Sequence, residues 1–138
     1  MKHPLHPALV HFPIASWTLA VLADIGGWIR PLDWLTPATI ALLAAGCISG
    51  LLAAAAGFVE LLRLPAGHPA MKIVNRHMGL ALASWILFAI NLFLRIDDDV
   101  SWPAGAAILL LDAAGMACLL GAGFLGGTLV YRHGLGKC

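Results

Sequence analysis

The sequence predicts an all-α integral membrane protein, folded as a four-helix up-down bundle. Of its 138 residues, 61% are hydrophobic and only 11% are charged, whereas a soluble domain has about 25% charged residues. Four apolar segments each reach the roughly 20 residues that a membrane-spanning helix needs. The connections between them are short, and short connections make successive helices antiparallel. The composition and the spacing therefore favour one compact bundle.

The four predicted helices cover about residues 7–29, 37–64, 70–95 and 103–131, within a single transmembrane domain of residues 1–138. Pro37 and Pro103 open the second and fourth helices, because proline is favoured in the first turn of a helix. Ahead of the first helix, His3 and His6 each precede a proline. Proline disfavours helical geometry in the residue before it, so a non-helical lead-in is expected there.

Small residues are concentrated in the second and fourth segments. In lipid, small residues let helix backbones approach each other closely, so the glycines there predict packing faces. The alternative is a groove that admits a flat cofactor. The glycines are Gly46, Gly50 and Gly57 in the second helix and Gly115, Gly123, Gly126 and Gly127 in the fourth.

Basic residues favour one side of the predicted bundle. The side with both termini and the second connection carries Lys2, Arg63, Lys72, Arg76, Arg132 and Lys137, against Arg30 and Arg95 on the other side. Cytoplasmic loops are enriched in Lys and Arg. The distribution therefore predicts cytoplasmic N and C termini, in the inner membrane of a bacterium, with lipid as the surrounding partner.

All six histidines fall on that same side. His11 and His77 lie within apolar segments, where ionisable groups tend to face the bundle interior. The first and third helices are diagonal in a square bundle, so these two imidazoles are predicted to approach across its axis. Two histidines in this arrangement can ligate haem iron from both faces.

Other polar groups surround this predicted site. His6 and His133 are placed at its mouth, as further ligands or as partners of a haem propionate. Arg76 and Arg132 either bind propionates or are ordinary cytoplasmic charges. Glu60 is expected to pair with Arg63, three residues on; the alternatives are a metal ligand and an acceptor that orients a histidine.

Two aspartates lie in the opposite half of the predicted helices. Asp24 and Asp112 are on the first and fourth helices, which are neighbours in a cyclic bundle, so the carboxyl groups are predicted to approach. Two close carboxylates share a proton or need a cation. A proton path, a metal site and simple hydrogen bonding between helices all remain open.

Two terminal motifs carry a family resemblance: HPLHPALVHFPIA at residues 3–15 and GTLVYRHGLG at residues 127–136. Together they resemble the small bacterial membrane proteins catalogued as domain of unknown function 2231. Some members of that family are fused to Rieske iron–sulfur or cytochrome-like domains. The resemblance therefore implies a membrane fold and an association with electron transfer.

The function that these patterns favour is a b-type cytochrome. It would bind non-covalent haem b between the first and third helices and exchange electrons with a quinone or a redox partner protein. One alternative is a Zn, Cu or Fe ion on His6, His11, His77 and His133 with Glu60. Another is a cofactor-free structural subunit of a respiratory complex. A homodimer is an open alternative for the assembly.

Several function classes are excluded or unsupported by the sequence. The net charge of +1 gives no case for nucleic acid. The motifs HExxH, GxSxG and the P-loop are absent from the sequence, and these mark common hydrolase and nucleotide sites. Whether the protein is an enzyme is left open.

Overall fold

The computed structural model describes residues 5–65, 67–96 and 105–135. These ranges form α1 (Leu5–Leu9), α2 (His11–Ile29), α3 (Leu35–Leu61), α4 (Met71–Ile96) and α5 (Ala106–His133), and contain no strand. Four stretches are long and apolar enough to cross a membrane, the first being α1 and α2 together. The predicted all-α membrane fold is therefore confirmed.

The start of the chain differs from the prediction. His6 lies in the short helix α1, not in an extended lead-in, and only Val10 separates α1 from α2. Pro7 is accommodated because the first N–H groups of a helix have no partner within it. His3 is outside the described residues. The helices α3, α4 and α5 begin and end within three residues of their predicted bounds, wherever the predicted bound falls on a described residue.

The helices form two tightly packed antiparallel pairs. α2 packs along α3, and α4 packs along α5; contacts of α3 with α4 and of α2 with α5 close the bundle. The helices α2 and α4 are therefore diagonal, as predicted. We call the end with α1 and the last turn of α5 the histidine end, and the opposite end the carboxylate end.

Side chains of α1 and α2 meet side chains of α4 on the bundle axis in three layers. At the histidine end, the rings of His6 and His77 lie with their centroids 6.2 Å apart. In the middle, Trp17 stacks on Phe88 at 4.8 Å and 16°. At the carboxylate end, Asp24 forms an ion pair with Arg95. Each pair spans the same sequence distance, 71 residues.

Glycines on the other two helices make room for these rings. A Cβ at Gly46 of α3 would overlap the Trp17 indole, and one at Gly115 of α5 would lie 3.0 Å from Phe88. The imidazole rings of His6 and His77 likewise lie against Gly57 and Gly126. The predicted packing role is confirmed for these four glycines and for Gly50, where a Cβ would lie 3.0 Å from Trp85. It is wrong for Gly123 and Gly127, which have nothing within 4 Å of a Cβ.

The matched spacings show that the two halves of the chain are structural repeats. Gly46 and Gly57 of α3 lie 69 residues before Gly115 and Gly126 of α5, and the axial positions of α1 and α2 lie 71 residues before those of α4. The diagonal helices α2 and α4 run in the same direction. The halves are thus parallel repeats about an axis along the bundle, an arrangement known among membrane proteins.

At the carboxylate end, one arginine ties three helices together. The Arg95 guanidinium is fully buried and donates to both carboxylate oxygens of Asp24, with Nη1 3.0 Å from Oδ1. Its Nε donates to Oδ1 of Asn91 at 2.6 Å. The amide of Asn91 donates in turn to Oδ1 of Asp112 on α5, also at 2.6 Å.

The substitution Gly46→Ala tests the ring-on-glycine packing. The added Cβ must displace the Trp17 indole, so we expect an overpacking loss of about 1–3 kcal/mol in the free energy of unfolding. Gly123→Ala is the matched control on α5, where the new methyl meets open space. Its effect should stay within about 0.5 kcal/mol. Thermal unfolding in detergent compares the two; equal losses would contradict the packing.

A double-mutant cycle tests the ion pair. Arg95→Met leaves the buried Asp24 without a cation, which is expected to cost about 3–5 kcal/mol. Adding Asp24→Leu removes that uncompensated charge and should recover part of the loss. The measurement is again the unfolding temperature of each variant in detergent. Strictly additive losses would show that the two residues do not interact.

Candidate cofactor site

The histidine end brings two imidazole rings together on the bundle axis. His6 comes from α1, and His77 lies in the second turn of α4. Both rings are half-buried. Their planes are nearly perpendicular, at 88°, with 6.2 Å between the ring centroids. Among the described residues, this is the one pair of histidines whose rings are in contact.

The same kind of hydrogen bond holds both rings. Nδ1 of His6 donates to the carbonyl of Ala53 at 2.7 Å, and Nδ1 of His77 donates to the carbonyl of Ala122 at 2.8 Å. A carbonyl can only accept, so each neutral ring carries its proton on Nδ1. Within the described residues, neither Nε2 has a hydrogen-bond partner in the protein. Both Nε2 lone pairs are therefore available to a ligand.

The glycines explain how the rings reach helical carbonyls. Gly57 lies four residues after Ala53, and Gly126 four residues after Ala122. Side chains on a helix lean towards its N-terminus, so a Cβ at either glycine would cover the carbonyl one turn before it. A Cβ at Gly57 would lie only 2.9 Å from Nδ1 of His6. The Ala-xxx-Gly spacing thus forms a seat for each imidazole.

Glu60 fixes the position of α1 on α3. Its Oε1 accepts a hydrogen bond from the backbone N–H of His6 at 3.2 Å. The expected ion pair with Arg63 is not formed in the described residues; Arg63 is exposed. The reason is that the start of α1 has unpaired N–H groups, and Glu60 satisfies one of them. Glu60 therefore supports His6 through its backbone.

His11 does not face His77, so the predicted geometry is wrong for this residue. The His11 side chain is exposed, and its Nδ1 lies 3.4 Å from the carbonyl of Ala8 in the preceding turn. Five residues of helix rotate a side chain by about 140°. Because the helix begins before His6, His6 points to the axis and His11 points away from it.

The remaining predicted site residues lie around the pair without contacting it. His133 is half-buried at the end of α5, and the described contacts include no hydrogen bond or ring contact from it to the pair. Arg76 is exposed beside His77, and Arg132 is exposed on an open groove along α5. His68 lies in the connection between α3 and α4, where its Nδ1 accepts the N–H of Ala70 at 3.2 Å.

The donor set of the pair consists of two imidazole nitrogens. A structural or catalytic zinc takes at least three protein ligands, and the described residues contain no group of three or more His, Cys, Asp or Glu that could hold a metal. Haem iron needs only two axial ligands from the protein. Metal–nitrogen bonds of about 2 Å on each side are compatible with ring centroids 6.2 Å apart.

The fold and the site define a class: a multi-pass membrane bundle with a pair of seated histidines on its axis. The chain belongs to the family described as predicted membrane proteins, DUF2231, whose family model matches residues 2–138. This confirms the resemblance carried by the terminal motifs. Neither the curated proteins nor the solved structures contain a match to the chain.

A signal for the pair that meets on the axis was present in the sequence. His6 and His77 are separated by 71 residues, as are Trp17 and Phe88. A search for an internal repeat at this period would have aligned His6, and not His11, with His77. The carbonyl partners Ala53 and Ala122 carry no such chemical signal, because only the bundle geometry exposes a helical carbonyl to a ring.

The tautomers of the histidines give a direct test of the seats. We expect neutral His6 and His77 to carry the proton on Nδ1. His68 is the matched control: its Nδ1 accepts a backbone N–H, so its proton must be on Nε2. Long-range nitrogen-15 to proton correlation spectra of the apoprotein, at a pH where imidazoles are neutral, distinguish the two forms. The same tautomer at all three residues would contradict the assignment.

Proposed function

We propose that this protein is a b-type cytochrome-like membrane protein that holds non-covalent haem b between His6 and His77. One observation carries the proposal: two imidazoles on the bundle axis, each anchored through Nδ1 to a carbonyl, both with Nε2 free. Histidines that bind metals commonly donate their other N–H to an outer acceptor. When bound, the haem supplies one-electron redox chemistry.

The residues of the chain have distinct tasks in this proposal. The carbonyls of Ala53 and Ala122 fix the ring orientations and increase the basicity of Nε2. Gly57 and Gly126 keep those carbonyls accessible. Glu60 anchors α1, so that His6 stays on the axis. His133, Arg76 and Arg132 lie at the same end and supply donors for the haem propionates.

Charge supports a cytoplasmic position for the histidine end. In the described chain, Arg63, Lys72, Arg76 and Arg132 are exposed at this end. At the carboxylate end only Arg30 is exposed, since Arg95 is buried with Asp24. This asymmetry follows the positive-inside rule in a bacterial inner membrane. Electron exchange with a quinone or redox protein then takes place at that face.

The test is the visible spectrum of the detergent-purified protein, air-oxidised and then reduced with dithionite. We expect a Soret band and α and β bands that sharpen on reduction. His6→Ala and His77→Ala should lose most of this absorbance, because each removes an axial ligand. His11→Ala and His68→Ala are the matched controls and should retain it.

Two results would overturn the proposal. One is a colourless protein that also fails to bind added haemin; metal analysis would then examine the metal-ion alternative, and a blank result would favour the structural subunit. The other is loss of the bands in His11→Ala with retention in His6→Ala. Circular dichroism of every variant separates loss of haem from loss of the fold.

A further inference from the structure

The carboxylate end holds a buried carboxyl group whose second oxygen has no donor. Asp112 is 2% exposed, and its Oδ1 accepts the Asn91 amide. Its Oδ2 is buried without a hydrogen-bond partner among the described residues. An ionised carboxylate in such a place is costly unless it is paired. The orphaned oxygen therefore needs a proton or another ligand.

The nearby cation, Arg95, already forms an ion pair with another carboxylate, Asp24. The Arg95 guanidinium uses both terminal nitrogens on Asp24 and its Nε on Asn91. Asp24 and Asp112 are linked through this network, since Arg95 binds Asp24 and also contacts Asn91, whose amide donates to Asp112. Two buried carboxylates that share one arginine can remain neutral overall only if one of them is protonated. A proton on Oδ2 of Asp112 would be available for donation to Asp24, the other carboxylate of the network.

A cavity lies next to Asp24, the ion-pair partner of Arg95 in this network. It has a volume of about 140 Å³ and is lined by Asp24, Thr36, Thr39 and the exposed Asp33, among others. Thr39 is only 1% exposed, and its hydroxyl has no partner within the described ranges. A buried hydroxyl normally makes a hydrogen bond, so the Thr39 hydroxyl is suited to bind water or a proton-carrying molecule in the cavity.

We propose that the carboxylate end is a proton-binding site: Asp112 holds one proton on Oδ2 and donates it to Asp24, and the cavity at Thr39 exchanges it with solvent. The charged groups facing Asp112 are Asp24 from α2 and Arg95 from α4. α3 presents the neutral hydroxyl of Thr39 at this end. The aspartates at 97–99 lie outside the described residues.

The site is separate from the histidine pair. The 18 residues from His77 to Arg95 correspond to about 27 Å of helix. The proton site therefore does not rest on haem binding, and the spectra that test the two proposals are independent. Proton binding at this end can be measured on the protein with or without a cofactor.

Infrared spectroscopy of the purified protein at neutral pH tests the proposal. A protonated carboxyl group gives a carbonyl stretch, distinct from amide and carboxylate bands, that shifts to lower frequency in D₂O. We expect one such band, lost in Asp112→Asn and retained in the matched control Asp33→Asn. Asn keeps an acceptor for Asn91 and offers an N–H to Asp24, so the variant should fold. Labelling the aspartates with carbon-13 must shift this band in the unmutated protein, which assigns the band to an aspartic acid.

Either of two outcomes would overturn the site. If the unmutated protein has no aspartic-acid band at neutral pH, Asp112 is ionised. If the band survives in Asp112→Asn and disappears in Asp24→Asn, the proton is on the other carboxyl group. Thr39→Val tests the route: we expect a slower shift of the band in D₂O, and an unchanged exchange rate would exclude the cavity as the path.

Discussion

The rest of the structure depends on one kind of packing contact. On the bundle axis, large side chains lie directly against glycines of α3 and α5, where the helix backbone carries no side chain. Lipid chains are as apolar as the helices, so association in the membrane relies on close packing and on polar contacts. The indole of Trp17 and the ring of Phe88 occupy the space that Gly46 and Gly115 leave free. The glycines of α3 and α5 thus position the diagonal helices.

The same arrangement brings polar groups together at both ends of the axis. Because the halves of the chain repeat, His6 and His77 occupy equivalent seats and meet near the symmetry axis. At the other end, the equivalent residues Asp24 and Arg95 have opposite charges and form an ion pair. The repeat thus places two identical residues, both possible ligands, at one end of the axis. At the other end it places two oppositely charged residues, which hold α2 and α4 together.

The sequence was sufficient for the fold and for part of the site. Hydropathy and proline positions located the helices, and topology placed His77 in the bundle. Asp24 and Asp112, whose approach was also predicted, are linked through Arg95 and Asn91. The His-Pro pairs predict an extended lead-in and so favour His11 over His6, whereas the helix begins at Leu5. The facing direction of a side chain depends on that starting residue, which hydropathy does not define.

Electron paramagnetic resonance of the oxidised protein tests most directly whether His6 and His77 act as a pair. Two imidazole ligands on one haem iron give a six-coordinate, low-spin signal. We predict that signal in the unmutated protein, and its replacement by a high-spin signal or by loss of haem in either His6→Ala or His77→Ala. A low-spin signal that survives in either single variant, or a protein that takes up no haem, would contradict the account.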